Sequence, residues 1–196
     1  ALEPVDLDGG EDGVLRRSAV YTYGSVRHSF VDRTDYHGVF APGFRKVKKP
    51  AAAAGGLNLL EIDHAVGNVA LGDMNRFVDF YRDVFGFAQL IHYDDKVIHT
   101  EYSALMSKVM TNGNGRVKFP INEPATGKKK SQIQEFIDYY GEAGTQHIAL
   151  RTEDIVGTVR ALRGLGVEFL GMPHAYYEQL GERVGDVGVP IDTLEE

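Results

Sequence analysis

The alternation of apolar and polar residues along the chain predicts a mixed α+β fold. β-Branched and aromatic residues at 18–23 and 26–31 predict two strands, joined by a two-residue turn at Gly24-Ser25. Residues 1–13 show no periodic pattern, and we expect them to be irregular. Residues 36–44 contain glycine and proline and are typical of a loop.

The pattern of the next segment predicts one β-α-β-β-β module. Its helix begins after Asp73, a candidate N-cap, and ends at Gly86. Between these positions the apolar residues recur at the helical spacing of about 3.6 residues. Its strands are expected at 59–66, 87–93, 97–107 and 115–121.

The remaining pattern predicts the beginning of a second such module. A helix at 132–140, with Ser131 and Gln134 at capping-box spacing, precedes a strand at 146–150. Another helix is expected from about Asp154. A strand at 167–170 and a short helix at 176–182 follow in the prediction. Two strands of a second module are then missing, so we expect the chain to be a fragment of a longer protein.

Composition excludes several classes of protein. The chain has 196 residues and no cysteine, which excludes disulfides, zinc-thiolate sites and thiol catalysis. The net charge of −7 argues against a nucleic-acid partner. No apolar run is long enough to span a membrane, and residues 1–13 do not have the pattern of a signal peptide. We therefore expect a cytoplasmic protein without a membrane partner.

Two histidines occupy matching surroundings. His64 lies in L-L-E-I-D-H-A-V-G-N-V and His147 in A-G-T-Q-H-I-A-L, each in an apolar strand that precedes a helix. A single histidine in such a strand is more often a core residue than a ligand, but the repetition favours a shared metal. With no cysteine, a carboxylate is the expected third ligand. That set suits a non-haem Fe(II) oxygenase or catalytic zinc, and both remain open at this point.

Polar residues near the ends of the predicted elements are candidates for substrate contacts. Their amides and hydroxyls could orient a polar aromatic substrate. Local sequence alone favours simpler interpretations, with Asn122 as a turn residue before Pro124 and Gln132 as surface of a first helical turn. The candidates are Ser103, Asn122, Gln132 and Gln146.

Longer motifs extend over nearly the whole chain. They are V-D-R-T-D-Y-H-G (31–38), I-D-H-A-V-G-N-V (62–69), F-P-I-N-E-P-A (119–125), K-K-S-Q-I-Q (129–134), G-T-Q-H-I-A-L (144–150) and Y-Y-E-Q-L-G-E-R-V-G-D (176–186). Together they resemble the family of 4-hydroxyphenylpyruvate dioxygenases. That family has the vicinal oxygen chelate fold, which consists of paired β-α-β-β-β modules. The resemblance therefore implies the same α+β fold class here.

The resemblance also implies an activity and a cofactor. His64 and His147 match the family's Fe(II) ligands, and the third ligand, a glutamate, is expected beyond Glu196. The implied enzyme converts 4-hydroxyphenylpyruvate and O2 to homogentisate and CO2 in tyrosine and phenylalanine catabolism, and we expect a homo-oligomer. The four candidate polar residues match positions that line the family's substrate pocket: Ser103, Asn122, Gln132 and Gln146.

The residue pattern and the resemblance together divide the chain into four parts. Residues 1–44 match the closing part of an amino-terminal half-domain, and 45–56 are interpreted as a linker. Residues 57–141 form the first module of the catalytic half, and 142–196 an incomplete second module. Two other functions remain open. One is 4-hydroxymandelate synthase on the same iron site, and the other is a metal-free small-molecule binding protein of the same fold.

Overall fold

The protein is described by a computed structural model that covers most of the chain. The described residues are 1–48, 57–93, 105–125, 130–172, 174–178, 180, 185 and 188. Two compact units are distinguished, residues 1–48 with 62–149 and residues 49–61 with 150–196. Within the described part of the chain, none of the helices combines the length and apolar character needed to cross a membrane. The expected linker falls largely in 49–56, outside the described residues.

The amino-terminal segment forms a three-stranded antiparallel sheet. Its strands are β1 (Leu2–Asp8), β2 (Val14–Tyr21) and β3 (Arg27–Asp32), in that order. The expectation of an irregular start is wrong, because β1 and a short 3-10 helix at Gly10–Asp12 occupy it. Nearly all of β1 is exposed, so its residues lack an alternating pattern. Its strand conformation comes from pairing with β2.

A tight turn joins β2 to β3 as the sequence predicts. Gly24 adopts a φ of 53°, which a residue with a side chain rarely tolerates. The Val26 amide donates to the Tyr23 carbonyl at 3.1 Å, which closes a turn with Gly24 and Ser25 at its centre. The turn therefore has glycine at its first central position, which matches the right-handed twist of the flanking strands.

The central segment forms the predicted β-α-β-β-β module. It comprises β4 (Leu59–Asn68), α1 (Met74–Phe85), β5 (Ala88–Tyr93), β6 (Leu105–Thr111) and β7 (Lys118–Pro124). With the later strand β8 (Gly144–Thr152) they form one sheet in the order β5-β6-β7-β4-β8. Strands β4 and β7 are parallel, whereas β5, β6 and β7 pair antiparallel. The part of the third predicted strand at 97–104 lies outside the described residues.

The apolar face of α1 forms the core of the first unit. Phe77, Val78 and Tyr81 are buried on this face, and Tyr81 is fully buried. They pack with Val69 of the turn after β4 and with Ile121 of β7. The 3.6-residue spacing of the apolar positions therefore determines which side of α1 faces the sheet.

The amino terminus of α1 is capped from a distant strand. Asp73 occupies the N-cap position but makes no side-chain capping bond, so its predicted capping role is wrong. Instead, the buried Glu123 carboxylate accepts from the Gly72 and Met74 amides at 2.9 and 3.0 Å. The helix start is thus held by a charged acceptor on β7.

The remaining helices follow the predicted order. Ser131 caps α2 (Gln132–Tyr140), and Asp154 caps α3 (Ile155–Gly164) by accepting from the Gly157 amide at 2.9 Å. Gln134 donates forward to Asp138 instead of completing a capping box. The short helix α4 spans His174–Glu178.

The predicted strand at 167–170 is wrong. These residues lie outside helices and strands, and Leu170 is 93% exposed. The chain leaves α3 through Gly166, whose φ is 84°, and the Val167 amide donates back to the Leu162 carbonyl at 3.0 Å. Strand conformation requires a pairing neighbour, and the sheets of the described residues provide none for this segment.

Candidate metal centre

The structure brings the two repeated histidines together. His64 lies on β4 and His147 on β8, and these strands are neighbours in the sheet. The centres of the two imidazole rings are 5.7 Å apart, and the ring planes meet at 72°. Two residues far apart in the sequence thus meet on adjacent strands, as the repeated unit predicts.

The His64 ring has an acidic partner and, behind it, a basic one. Asp63 Oδ2 lies 2.7 Å from His64 Nδ1, and Lys118 Nζ lies 2.5 Å from Asp63 Oδ1. All three side chains are less than a third exposed. The hydrogen bond with His64, followed by that with Lys118, lowers the pKa of Asp63 below its usual value. Asp63 is therefore ionised at neutral pH and acts only as an acceptor.

His147 has a neutral partner in the corresponding place. The Gln146 side-chain oxygen contacts His147 Nδ1. Partial desolvation, followed by the proximity of His64, lowers the pKa of His147 below its usual value. The imidazole is therefore neutral at physiological pH, which is the form that binds metal ions.

The geometry of this pair fits a shared divalent metal. Because each Nδ1 contacts the preceding residue, Nε2 is the nitrogen of each ring that is left to bind a metal. A metal-nitrogen distance of about 2.1 Å places two imidazole centres on one ion about 4.5–6 Å apart, and the observed separation lies within that range. No group of three histidine or acidic residues suited to a metal occurs among the described residues. The pair therefore fits two ligands of a site whose third ligand is still to be assigned.

A row of buried polar side chains crosses the sheet near the end of β4. Asn68 is fully buried, four residues beyond His64 and on the same face of the strand, about 13 Å along it. Asn122 Nδ2 donates to Asn68 Oδ1 at 3.4 Å, and these residues are paired in register between β7 and β4. Ser107, paired with Asn122 from β6, is also buried. Such a row can form the polar floor of a binding site.

The residues predicted to contact the substrate differ in burial and in the element that carries them. Asn122 is a buried strand residue, so the local interpretation as a turn residue is wrong. Gln132 lies in the first turn of α2 and is exposed, as its local sequence suggests. Gln146 lies beside His147 and is also exposed. Ser103 falls outside the described residues. Their roles toward a substrate stay predictions.

Three residues of the site were missed in the sequence. Asp63 and Lys118 gave no signal, because their pairing depends on the register between β4 and β7. Asn68 lies four residues after His64, and it is the last, fully buried residue of β4. Its even spacing from His64 was the available signal, since residues i and i+4 of a strand share a face.

Several proteins of known activity are similar to this chain. 4-Hydroxyphenylpyruvate dioxygenase of Aspergillus fumigatus is 44% identical over 185 residues, which are 92% of this chain and 46% of that protein. The enzyme of the same name from Caenorhabditis elegans is 47% identical over 190 residues, or 93% of this chain and 48% of that protein. The chain thus spans about half the length of the curated relatives that it matches.

A structural comparison and a family model lead to the same superfamily. A mutant of 4-hydroxymandelate synthase from Streptomyces coelicolor matches 92% of this chain and 49% of that chain, with a TM-score of 0.67 and 28% identity. The predicted vicinal oxygen chelate fold class is confirmed by this match and by the β-α-β-β-β module. The family model covers residues 61–187, more than half of the chain. The chain belongs to the Glyoxalase/Bleomycin resistance protein/Dioxygenase superfamily.

Proposed function

We propose that this chain is part of a non-haem Fe(II) dioxygenase that converts 4-hydroxyphenylpyruvate and O2 to homogentisate and CO2. The observation that carries the proposal is the approach of His64 and His147 on neighbouring strands. Support comes from curated relatives that bear the name of this enzyme and are 44–47% identical over nearly the whole chain. Homogentisate and CO2 together contain all the atoms of the substrate and of O2.

In this proposal His64 and His147 are two Fe(II) ligands, each through Nε2. When bound by two histidines and one carboxylate, Fe(II) would keep open positions for substrate and O2 and would activate O2, which is the oxidant. The third ligand is the family's glutamate, which the resemblance places beyond Glu196. The protein's own contribution is to hold the two rings on adjacent strands, whose spacing the sheet fixes.

The substrate-orienting role is proposed for the polar side chains along the sheet. The Asn122 amide donates its Nδ2 hydrogen to Asn68, which leaves its carbonyl oxygen to accept a hydrogen bond from a phenol. Ser103, Gln132 and Gln146 are proposed as further contacts on the evidence of the family motifs. A buried amide discriminates well between a substrate that carries a hydroxyl group and one that lacks it, because the unpaired amide is costly.

The test is oxygen uptake, with product analysis by chromatography, on the Fe(II)-loaded longer protein that contains this chain together with the third ligand. His64→Ala and His147→Ala should each abolish turnover, while His37→Ala, an exposed histidine elsewhere in the first unit, should retain it. Homogentisate as the product supports the proposal. Turnover that survives both ligand substitutions, or a wild-type protein that takes up no oxygen, refutes it. Tight substrate binding without oxygen uptake would instead identify a metal-free binding protein.

A second candidate is 4-hydroxymandelate synthase. It is favoured by one observation, the match of 92% of this chain to a mutant of that enzyme. Both products come from the same substrate and O2, so the chromatogram distinguishes them: 4-hydroxymandelate in place of homogentisate selects this candidate. The curated relatives at 44–47% identity favour the dioxygenase.

A further inference from the structure

We propose that Asp63 and Lys118 form a positioning pair that fixes the tautomer and orientation of the His64 ring for metal binding. The inference rests on the proposed function in that it treats His64 as a ligand. Neither residue touches the metal in this arrangement. Asp63 acts through the ring of His64, and Lys118 acts through Asp63.

The hydrogen-bond chain determines which ring nitrogen carries the proton. An aspartate carboxylate only accepts hydrogen bonds, so the contact of 2.7 Å requires His64 Nδ1 to donate. The proton then sits on Nδ1, and the lone pair of Nε2 is available to a metal. Lys118 occupies the other carboxylate oxygen at 2.5 Å, which restricts rotation of the Asp63 side chain.

The strand register explains why Lys118 is the partner. Strands β4 and β7 are parallel, with Gly67 opposite Ile121. Lys118 lies three residues before Ile121 and Asp63 lies four residues before Gly67, so both residues stand near the same level of the sheet. Lys118 is the first residue of β7, so its backbone belongs to the sheet and not to a loop.

This chain of contacts differs from the ordinary surface ion pairs of the protein. The Arg16–Asp6 side chains are 60% and 55% exposed, whereas those of Lys118 and Asp63 are 27% and 30% exposed. Lower exposure strengthens a charge-assisted hydrogen bond and reduces competition from water. His147 Nδ1 contacts the neutral Gln146 amide and not a carboxylate, so His64 is the more firmly oriented ring among the described contacts.

The first experiment measures tautomers by long-range ¹H–¹⁵N correlation NMR of the metal-free protein at mildly alkaline pH. We expect the Nδ1–H form for His64 in the wild type and loss of that preference in Asp63→Ala. Lys118→Met should weaken the preference partially. Asp6→Ala, which removes the exposed partner of Arg16, is the matched control and should leave His64 unchanged. An Nε2–H form in the wild type, or no change in Asp63→Ala, overturns the proposal.

The second experiment titrates Co(II), against a competing chelator, into the longer protein that contains this chain together with the third ligand. Loss of a group that orients a histidine ligand typically weakens metal binding about 10–100-fold, and we expect this for Asp63→Ala. Asp63→Asn keeps an acceptor oxygen and should lose less, which separates positioning from misfolding. Equal affinity in wild type and Asp63→Ala overturns the positioning role alone. A wild type that binds no Co(II) but shows the Asp63-dependent tautomer refutes the proposed function and leaves the tautomer assignment standing.

Discussion

Replacing Glu123 with alanine removes the acceptor that holds the first turn of α1. Its Oε2 accepts from the Gly72 amide at 2.9 Å and from the Met74 amide at 3.0 Å, and the residue is 6% exposed. A hydrogen bond to a charged group contributes about 1.5–3 kcal/mol. The negative charge near the helix amino terminus adds about 0.3–1 kcal/mol.

The two bonds share one oxygen, and Gly72 is exposed to water, so the contributions do not add fully. We therefore expect Glu123→Ala to lower the free energy of unfolding by about 2–4 kcal/mol. Glu123→Gln keeps a carbonyl oxygen and loses the charge, and should lower it by about 1 kcal/mol. Glu123→Ala should be the less stable variant, because alanine keeps no acceptor whereas glutamine keeps one.

The matched control is Asp73→Ala, at the N-cap position itself. Its side chain makes no capping hydrogen bond, so the change should lower the free energy of unfolding by less than about 1 kcal/mol. Urea unfolding followed by circular dichroism gives the free energies, and amide exchange at Gly72 and Met74 reports the local effect. A larger loss in Asp73→Ala than in Glu123→Ala would refute the reasoning, because it would place the cap on the local residue.

Three other predictions follow from packing, capping and burial. Burial lowers the pKa of His28, so this histidine binds a proton at a higher pH in the unfolded chain than in the folded one. The free energy of unfolding should therefore fall as pH drops below about 6.5. His28→Gln should flatten this dependence, measured as urea midpoints between about pH 4.5 and 8. Equal pH profiles would contradict this. A Cβ at Gly67 would lie 2.2 Å from the Tyr23 ring, so Gly67→Ala should lower the free energy of unfolding by about 1–3 kcal/mol. The control Gly113→Ala adds a Cβ in open space and should lower it by less than about 1 kcal/mol. Equal shifts of the melting temperature in the two variants would refute the contact. Asp154→Ala should cost about 1 kcal/mol through loss of the α3 cap, and unchanged amide exchange at Gly157 would contradict it.

The elements with strong periodicity could be predicted from the sequence. Helix α1 and the β-α-β-β-β order could be predicted because the periodic apolar residues in the sequence are the ones that form the core. The meeting of His64 and His147 follows from the repetition of the strand, since equivalent strands of such modules lie side by side.

The features that the sequence did not predict depend on distant partners. Strand β1 is nearly all exposed and exists through pairing with β2. Glu123 caps a helix that begins far from it in sequence, while the local candidate Asp73 makes no capping bond. The pairing of Asp63 with Lys118 needs the register between two strands. A cytoplasmic location, a homo-oligomeric state and the four-part division of the chain stay predictions.

Asn122 and Glu123 are adjacent on β7 and face opposite sides of the sheet, one toward Asn68 and the other toward the start of α1. A slip of this strand by one position would therefore push the carboxylate into the polar row and turn the amide under the helix. Both arrangements would fail together, because one strand register positions the helix cap and the polar row at once.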